Sequence, residues 1–311
     1  MAANGPAIEL MGLTKFYGRR RGVEDLTFDV APGEVFGFLG PNGAGKTTTL
    51  RMLVGLLRIT AGSASVLGQD VASARPALRA RIGYLPGALA LYKKLTGQEY
   101  LTFAARMRRL DLDDRIADLA RRLDLDLDRR IHDLSRGNQQ KIGVVQAFMH
   151  DPDVLVLDEP TSGLDPIVQQ EFEALVRQAT DRGASVLLSS HVLSEVEQLA
   201  QRVAVIDAGR LIVVEHIDVL KRRAVRAVEL AFPRPVDPAA YRALACVQDA
   251  RAHGSQLTCS VVGAETELLR LAVADEVETV RTLEPSLEEI FMSLVTGGDH
   301  RDRRPDHQDV A

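Results

Sequence analysis

"EVFGFLGPNGAGKTT", residues 34–48, decides how this chain folds. Residues 34–39 form a short apolar run of strand character, and a glycine-rich segment follows before a helix that begins near Gly45. Gly40, Pro41, Asn42, Gly43, Ala44, Gly45, Lys46 and Thr47, with Thr48 directly after them, satisfy the pattern G-x-x-x-x-G-K-[ST] in the strand–loop–helix context that gives the pattern meaning. Gly43 and Gly45 let the backbone curl until successive N–H groups converge on one anion. The helix behind them adds the positive end of its dipole at the same spot.

Working outward, short β-branched or apolar runs alternate with helical periodicity, the mark of a parallel α/β core. Residues 7–13 and 26–30 precede the glycine loop, and 81–86, 153–158, 184–190 and 202–215 supply later strands. The apolar density of 154–157, bounded by charge, suits a strand buried on both faces. From about 88 to 150 the pattern turns helical. Thr96-Gly-Gln-Glu99 has the form of a capping box, and "LDLDDRIADLARRLDLD" reads as a further amphipathic helix. After about 220 a smaller unit begins, with strands at 224–232, 256–262 and 276–283 and helices at 238–245 and 265–274. Pro285-Ser286-Leu-Glu-Glu289 forms another capping box opening "LEEIFMSLV", and residues 298–311 read as a disordered tail.

Three further sites carry chemistry. "VLVLDEP", 154–160, delivers Asp158 and Glu159 to the C-terminal end of a buried strand, where open α/β sheets bind ligands. In the loop, Lys46 is long enough to reach β- and γ-phosphates, and the Thr47 hydroxyl suits Mg²⁺, which prefers hard oxygen ligands. Asp158 would hold that ion through water, and Glu159 would take a proton from an attacking water. Ser135 is a fair N-cap for the helix after it, or else part of a second helix N-terminus aimed at phosphate. His191 ends the strand "LLSSH", and reads as structural unless a phosphate site adjoins it.

Composition limits the alternatives. The 311 residues are 46% apolar and 26% charged, an ordinary globular balance. A net charge of −5 disfavours a broad nucleic-acid surface. No apolar stretch approaches a membrane span and no signal peptide opens the chain, so a cytosolic protein, attached to a membrane only through a partner, is expected. Cys246 and Cys259 have no metal-ligand spacing and are expected as free thiols.

The order of the glycine loop (40–48), "LSRGNQQ" (134–140), "VLVLDE" (154–159), "SGLD" (162–165) and "SSH" (189–191) resembles the ATP-binding cassette of ABC transporters over roughly residues 7–220. The C-terminal unit resembles the accessory region of cassettes that work with separately encoded export-type permeases. The resemblance implies an α/β fold: a P-loop NTPase core of RecA-like type, with β-rich N-terminal strands and a helical insertion at 88–150. A cassette domain at 1–220 would precede a small α+β accessory domain at 221–297.

The same resemblance implies ATP and Mg²⁺ as ligands, Thr47 and Asp158 as metal residues, Glu159 as base and His191 as a γ-phosphate contact. Tyr17 matches the aromatic that stacks on adenine, with a packed turn tyrosine as the plain alternative. Two copies would sandwich ATP head to tail, Ser135, Arg136, Gly137, Asn138 and Gln140 of one covering the phosphate held by the other, with Asp165 at the interface. The implied function is the ATP-hydrolysing subunit of an exporter of a hydrophobic compound or antibiotic. It would act at the cytoplasmic face of the plasma (inner) membrane through a polytopic permease, without nucleic acid. A soluble ABC-type ATPase acting on ribosomes or nucleic acid is the alternative. Two departures stand out: the signature reads Leu134-Ser135-Arg136-Gly137-Asn138 rather than Leu-Ser-Gly-Gly-Gln, and Gly87 occupies the position where the family carries a glutamine.

Overall fold

The computed structural model describes residues 5–73, 76–283 and 286–291. The chain opens with a hairpin, β1 (Ile8–Tyr17) and β2 (Arg20–Val30), then β3 (Val35–Leu39), the glycine loop and α1 (Lys46–Leu53). The short strands β4 (Ala61–Val66) and β5 (Gln69–Asp70) follow, then α2 (Pro76–Ala80) and β6 (Ile82–Leu85). Helices α3 (Gly97–Met107), α4 (Asp113–Arg122) and α5 (Arg136–Phe148) come next, then β7 (Val154–Asp158), α6 (Pro166–Asp181), β8 (Ser185–Ser190), α7 (Leu193–Leu199), β9 (Arg202–Asp207) and β10 (Arg210–His216).

Two sheets frame this part. A six-stranded sheet runs in the order β10-β9-β3-β8-β7-β6, and β2-β1-β4-β5 form a second. Strands β3, β7 and β8 are buried at every residue and pair in parallel, which is why β7 reads as the unbroken apolar run VLVL rather than an alternation. Register decides what the sheet delivers. Leu39 pairs with Ser190, Asp158 with Ser189 and Leu85 with Leu157, so the loops after β3, β7, β8 and β6 leave the sheet at one edge. Phe28 stacks on Phe36 at 5.2 Å within the core between the sheets.

The structure departs from sequence expectation in specific places. The apolar stripe through 110–126 is not one continuous helix: α4 spans Asp113–Arg122, with Arg109 and Asp124 in left-handed conformations at φ 60° and 49°. Those two residues break the i to i−4 ladder on either side. The Thr96 box forms as expected, with the Glu99 N–H donating to Thr96 Oγ1 and the Thr96 N–H to the Glu99 carboxylate. Strands β4 and β5 were not foreseen, since "AGSASV" lacks branched residues until its end.

Contacts divide the chain into Met1–Val214 and Glu215–Ala311, so the division falls after Val214 where 220 was expected. The second unit holds α8 (Ile217–Arg223), β11 (Arg226–Ala231), α9 (Pro238–Arg242), β12 (Val247–His253), β13 (Gln256–Val261), α10 (Thr266–Ala274) and β14 (Thr279–Leu283). Its antiparallel sheet, β12-β13-β11-β14, buries Val228, Leu230, Cys259 and Val261 against Tyr241 and Leu268. Strand β12, "VQDARAH", was missed because it is an edge strand whose polar residues blur the alternation. Ser286 and Glu289 exchange the two hydrogen bonds of their capping box and residues 287–291 are helical, while 292–295 and the tail at 298–311 lie outside the described residues. Cys246 and Cys259 are free thiols, and burial pushes Cys259 up to about 11, away from thiolate chemistry.

Candidate functional site

The glycine loop folds because its glycines can do what other residues cannot. Gly43 and Gly45 adopt φ 84° and 112°, and a Cβ on Gly45 would lie 2.4 Å from Val23 Cγ1 and 2.9 Å from the Gly22 carbonyl. Lys46, only 6% exposed, is folded back over the loop: its Nζ donates to the carbonyls of Gly40 at 2.6 Å and Pro41 at 3.3 Å. The loop forms one wall of a cleft of about 590 Å³ that is also lined by Tyr17, Arg20, Arg21, Gly22 and Glu159. Tyr17 stands at the end of β1, 48% exposed, with its hydroxyl 3.5 Å from Thr48 Oγ1. Arg20 and Arg21 escaped the sequence reading. They follow the Tyr17-Gly18 turn, and only the hairpin reveals that this turn faces the loop.

Parallel strands β7 and β8 bring the acidic and hydroxyl residues to the same edge. Asp158 is fully buried. Its Oδ2 accepts from Thr47 Oγ1 at 2.7 Å and its Oδ1 from Ser189 Oγ at 2.6 Å. The Gly87 N–H points at Asp158 Oδ2 from 3.4 Å, and a Cβ on Gly87 would come within 3.1 Å of that oxygen. The turn at 85–87 therefore packs its backbone against the Asp158 carboxylate, with little room for a side chain.

Glu159 takes the left-handed conformation, φ 50°, costly for a residue with a Cβ and typical of strained functional positions. Its N–H donates to the Ser189 carbonyl, and its carboxylate bridges two cation-capable side chains: Lys46 Nζ at 3.4 Å and His191 Nδ1 at 2.6 Å. An ionised carboxylate only accepts, so Nδ1 bears the proton in this pair. Glu195 was also missed: it lies on α7, half-buried, and accepts from Thr161 and Ser190. Burial pushes its carboxyl upward, and those two hydroxyl donors oppose that shift.

The signature residues lie at the start of α5. Ser135 is its N-cap, with Oγ accepting from the Asn138 N–H at 3.2 Å, and Ser135 and Arg136 are exposed. A Cβ on Gly137 would sit 2.5 Å from the Gly163 carbonyl, so the helix start lies against the loop leading to Asp165. Asp165 caps α6, accepting from the N–H groups of Ile167 and Val168. Gln140 differs from its neighbours in the signature. Its buried amide donates to the Glu159 and Pro160 carbonyls at 3.3 and 3.0 Å, so its contacts lie within the chain rather than on a surface another copy can reach.

A phosphate loop ahead of a helix, with two carboxylates and a histidine at the ends of adjacent parallel strands, defines a P-loop nucleoside triphosphatase. A family model described as "ABC transporter" matches residues 23–162. The chain is 32% identical to the bacitracin transport ATP-binding protein BcrA of Bacillus licheniformis, over 94% of this chain and 98% of that one. It is 32% identical to the linearmycin resistance ATP-binding protein LnrL of Bacillus subtilis, over 95% and 100%. A solved ATP-binding subunit of an ABC transporter superposes with a TM-score of 0.65 at 31% identity, over 70% of this chain and 92% of that one. The chain belongs to the ABC transporter family, as an ATP-binding, ATP-hydrolysing subunit.

Proposed function

We propose that this chain powers an exporter, hydrolysing ATP to drive a hydrophobic compound or antibiotic through a separate polytopic permease. The observation that carries the chemistry is the Glu159 carboxylate held between Lys46 and His191 at the mouth of the phosphate loop. Without nucleotide, Glu159 pairs with Lys46 and hydrogen-bonds to His191. The γ-phosphate of ATP carries more negative charge than a carboxylate, so it draws Lys46 and His191 to itself. Glu159 is then free to take the proton of the attacking water. Thr47 and Asp158 are the residues that would hold Mg²⁺. Asp158 meets hydroxyl and N–H donors of Thr47, Ser189 and Gly87, a hard-oxygen corner that leaves its negative charge for a cation. When bound, the ion neutralises charge on the β- and γ-phosphates.

The working unit in this reading is a head-to-tail pair. Exposed Ser135 and Arg136, with Gly137 and Asn138, would cover the phosphates held by the other copy, and Asp165 would sit where the copies meet. Tyr17, beside Thr48 on the cleft wall, would stack on adenine. Among the described residues no helix is long and apolar enough to cross a membrane, so the pathway for cargo would lie in the partner. The surface best suited to that partner is aromatic: Tyr92 and Phe103 are exposed with rings 6.0 Å apart, and Met107 lies 72% exposed on the same helix as Phe103. Relatives named for bacitracin transport and linearmycin resistance support export of an antibiotic-like cargo at the cytoplasmic face of the membrane. Affinity purification from detergent-solubilised membranes tests this: a polytopic protein is expected to accompany the chain. Recovery with ribosomes instead overturns the exporter reading.

Gly87 supplies a sharper prediction. Gly87→Gln places a side chain 3.1 Å from Asp158 Oδ2, so the carboxylate must shift or the loop must open. Overpacking of this kind costs about 1–3 kcal/mol, so the Mg²⁺ concentration for half-maximal ATPase should rise about 10-fold. A titration of ATPase against Mg²⁺ reads it, and an unchanged midpoint would show that the loop gives way without disturbing Asp158.

A further inference from the structure

Glu195 belongs to none of the sequence motifs, yet it joins three segments of the site. Its Oε2 accepts from Thr161 Oγ1 at 2.5 Å and Ser190 Oγ at 3.4 Å, and its Oε1 from Gln169 Nε2 at 3.5 Å. Thr161 lies in the turn just after Glu159, Ser190 immediately precedes His191, and Gln169 is on α6 behind Asp165. Thr161 and Ser190 are buried, so each hydroxyl depends on a protein acceptor. Ser190 Oγ in turn accepts from the Val192 N–H at 2.9 Å, so this hydroxyl ties together the residues on both sides of His191.

We propose that Glu195 is a positioning residue for hydrolysis. One carboxylate locks the Glu159 turn to the His191 turn and so fixes the 2.6 Å meeting of base and histidine. The inference rests on Glu159 being the base. Without Glu195 the two turns keep their strands but lose their common anchor, and the buried hydroxyls of Thr161 and Ser190 lose an acceptor. Glu195 also lies in the first turn of α7, where a negative charge favours the helix dipole. The two roles separate by chemistry. A dipole role needs the charge, whereas the positioning role needs an acceptor, which a glutamine carbonyl still offers to both hydroxyls.

Steady-state ATPase, ATP affinity and thermal stability of the full chain decide it, using Glu195→Ala, Glu195→Gln, Glu159→Gln and the double variant Glu195→Ala/Glu159→Gln. Because small misplacements of a catalytic group cost heavily, Glu195→Ala should lower kcat about 10-fold, with ATP affinity held within about twofold. Glu195→Gln should recover to within about threefold of the parent, and Glu195→Ala should cost nothing further on top of Glu159→Gln, as groups acting on one step are non-additive. A Glu195→Ala kcat equal to the parent's beside an inactive Glu159→Gln overturns the positioning role alone. So does Glu195→Gln falling as far as Glu195→Ala, which marks a dipole effect. Normal turnover in Glu159→Gln overturns the base assignment itself.

Discussion

Glu159→Gln is expected to lower ATP turnover by about 10²- to 10⁴-fold, the range that a positioned general base contributes. The substitution keeps size and shape, and the amide oxygen can still accept from His191 Nδ1, now 2.6 Å from Glu159 Oε2. What is lost is the ability to take a proton. The paired expectation concerns binding. Glu159 shares Lys46 with the Gly40 and Pro41 carbonyls, and an amide competes less well for that ammonium than a carboxylate. ATP affinity should therefore hold or improve slightly while turnover collapses. Single-turnover hydrolysis measured beside equilibrium nucleotide binding separates the two, and a variant that hydrolyses at the parental rate removes Glu159 from the base role.

Much of this arrangement was legible before any coordinate. Family membership, the α/β class and the ATPase activity followed from motifs whose spacing is itself physical. A loop that must turn its N–H groups inward needs glycine where φ is positive, as at Gly43 and Gly45. A strand buried on both faces reads as a continuous apolar run, as in β7. Carboxylates at the end of such a strand have one edge of the sheet to occupy. These are local constraints, and sequence records local constraints well.

What stayed hidden depends on register and on through-space neighbours. Nothing in "SSH" says that Ser189 serves Asp158 while Ser190 serves Glu195. That follows from the pairing of Asp158 with Ser189 across β7 and β8. Glu195 reads as an ordinary polar residue of an amphipathic helix until Thr161 is seen beside it. Gln140 carried a faint signal, as a polar residue on a helix otherwise buried by Ile142, Val144 and Val145, but its carbonyl partners come from 19 and 20 residues further on. The left-handed backbone of Glu159 had no sequence signal, since positive φ is announced by glycine and asparagine rather than glutamate. Gly87 was legible as a turn. Its approach to Asp158 was not, because it depends on β6 lying in parallel beside β7.

Lys46→Ala should weaken ATP binding by about 100-fold, because hydrogen bonds from a charged donor contribute about 1.5–3 kcal/mol each and the ammonium makes more than one to a triphosphate. The same change removes the donor to the Gly40 and Pro41 carbonyls, so a collapsed loop could imitate a lost phosphate contact. The length of the nucleotide separates these causes. Lys46 is placed to reach the β- and γ-phosphates, whereas the converging backbone N–H groups serve the phosphates nearer the ribose. If the ammonium acts on the terminal phosphates, AMP affinity stays near that of the parent chain while ATP affinity falls. If the loop itself gives way, both fall together and thermal stability drops with them. Titrations of parent and variant with ATP, ADP and AMP, read beside a melting curve, distinguish the outcomes. Unchanged ATP affinity would remove Lys46 from the phosphate site.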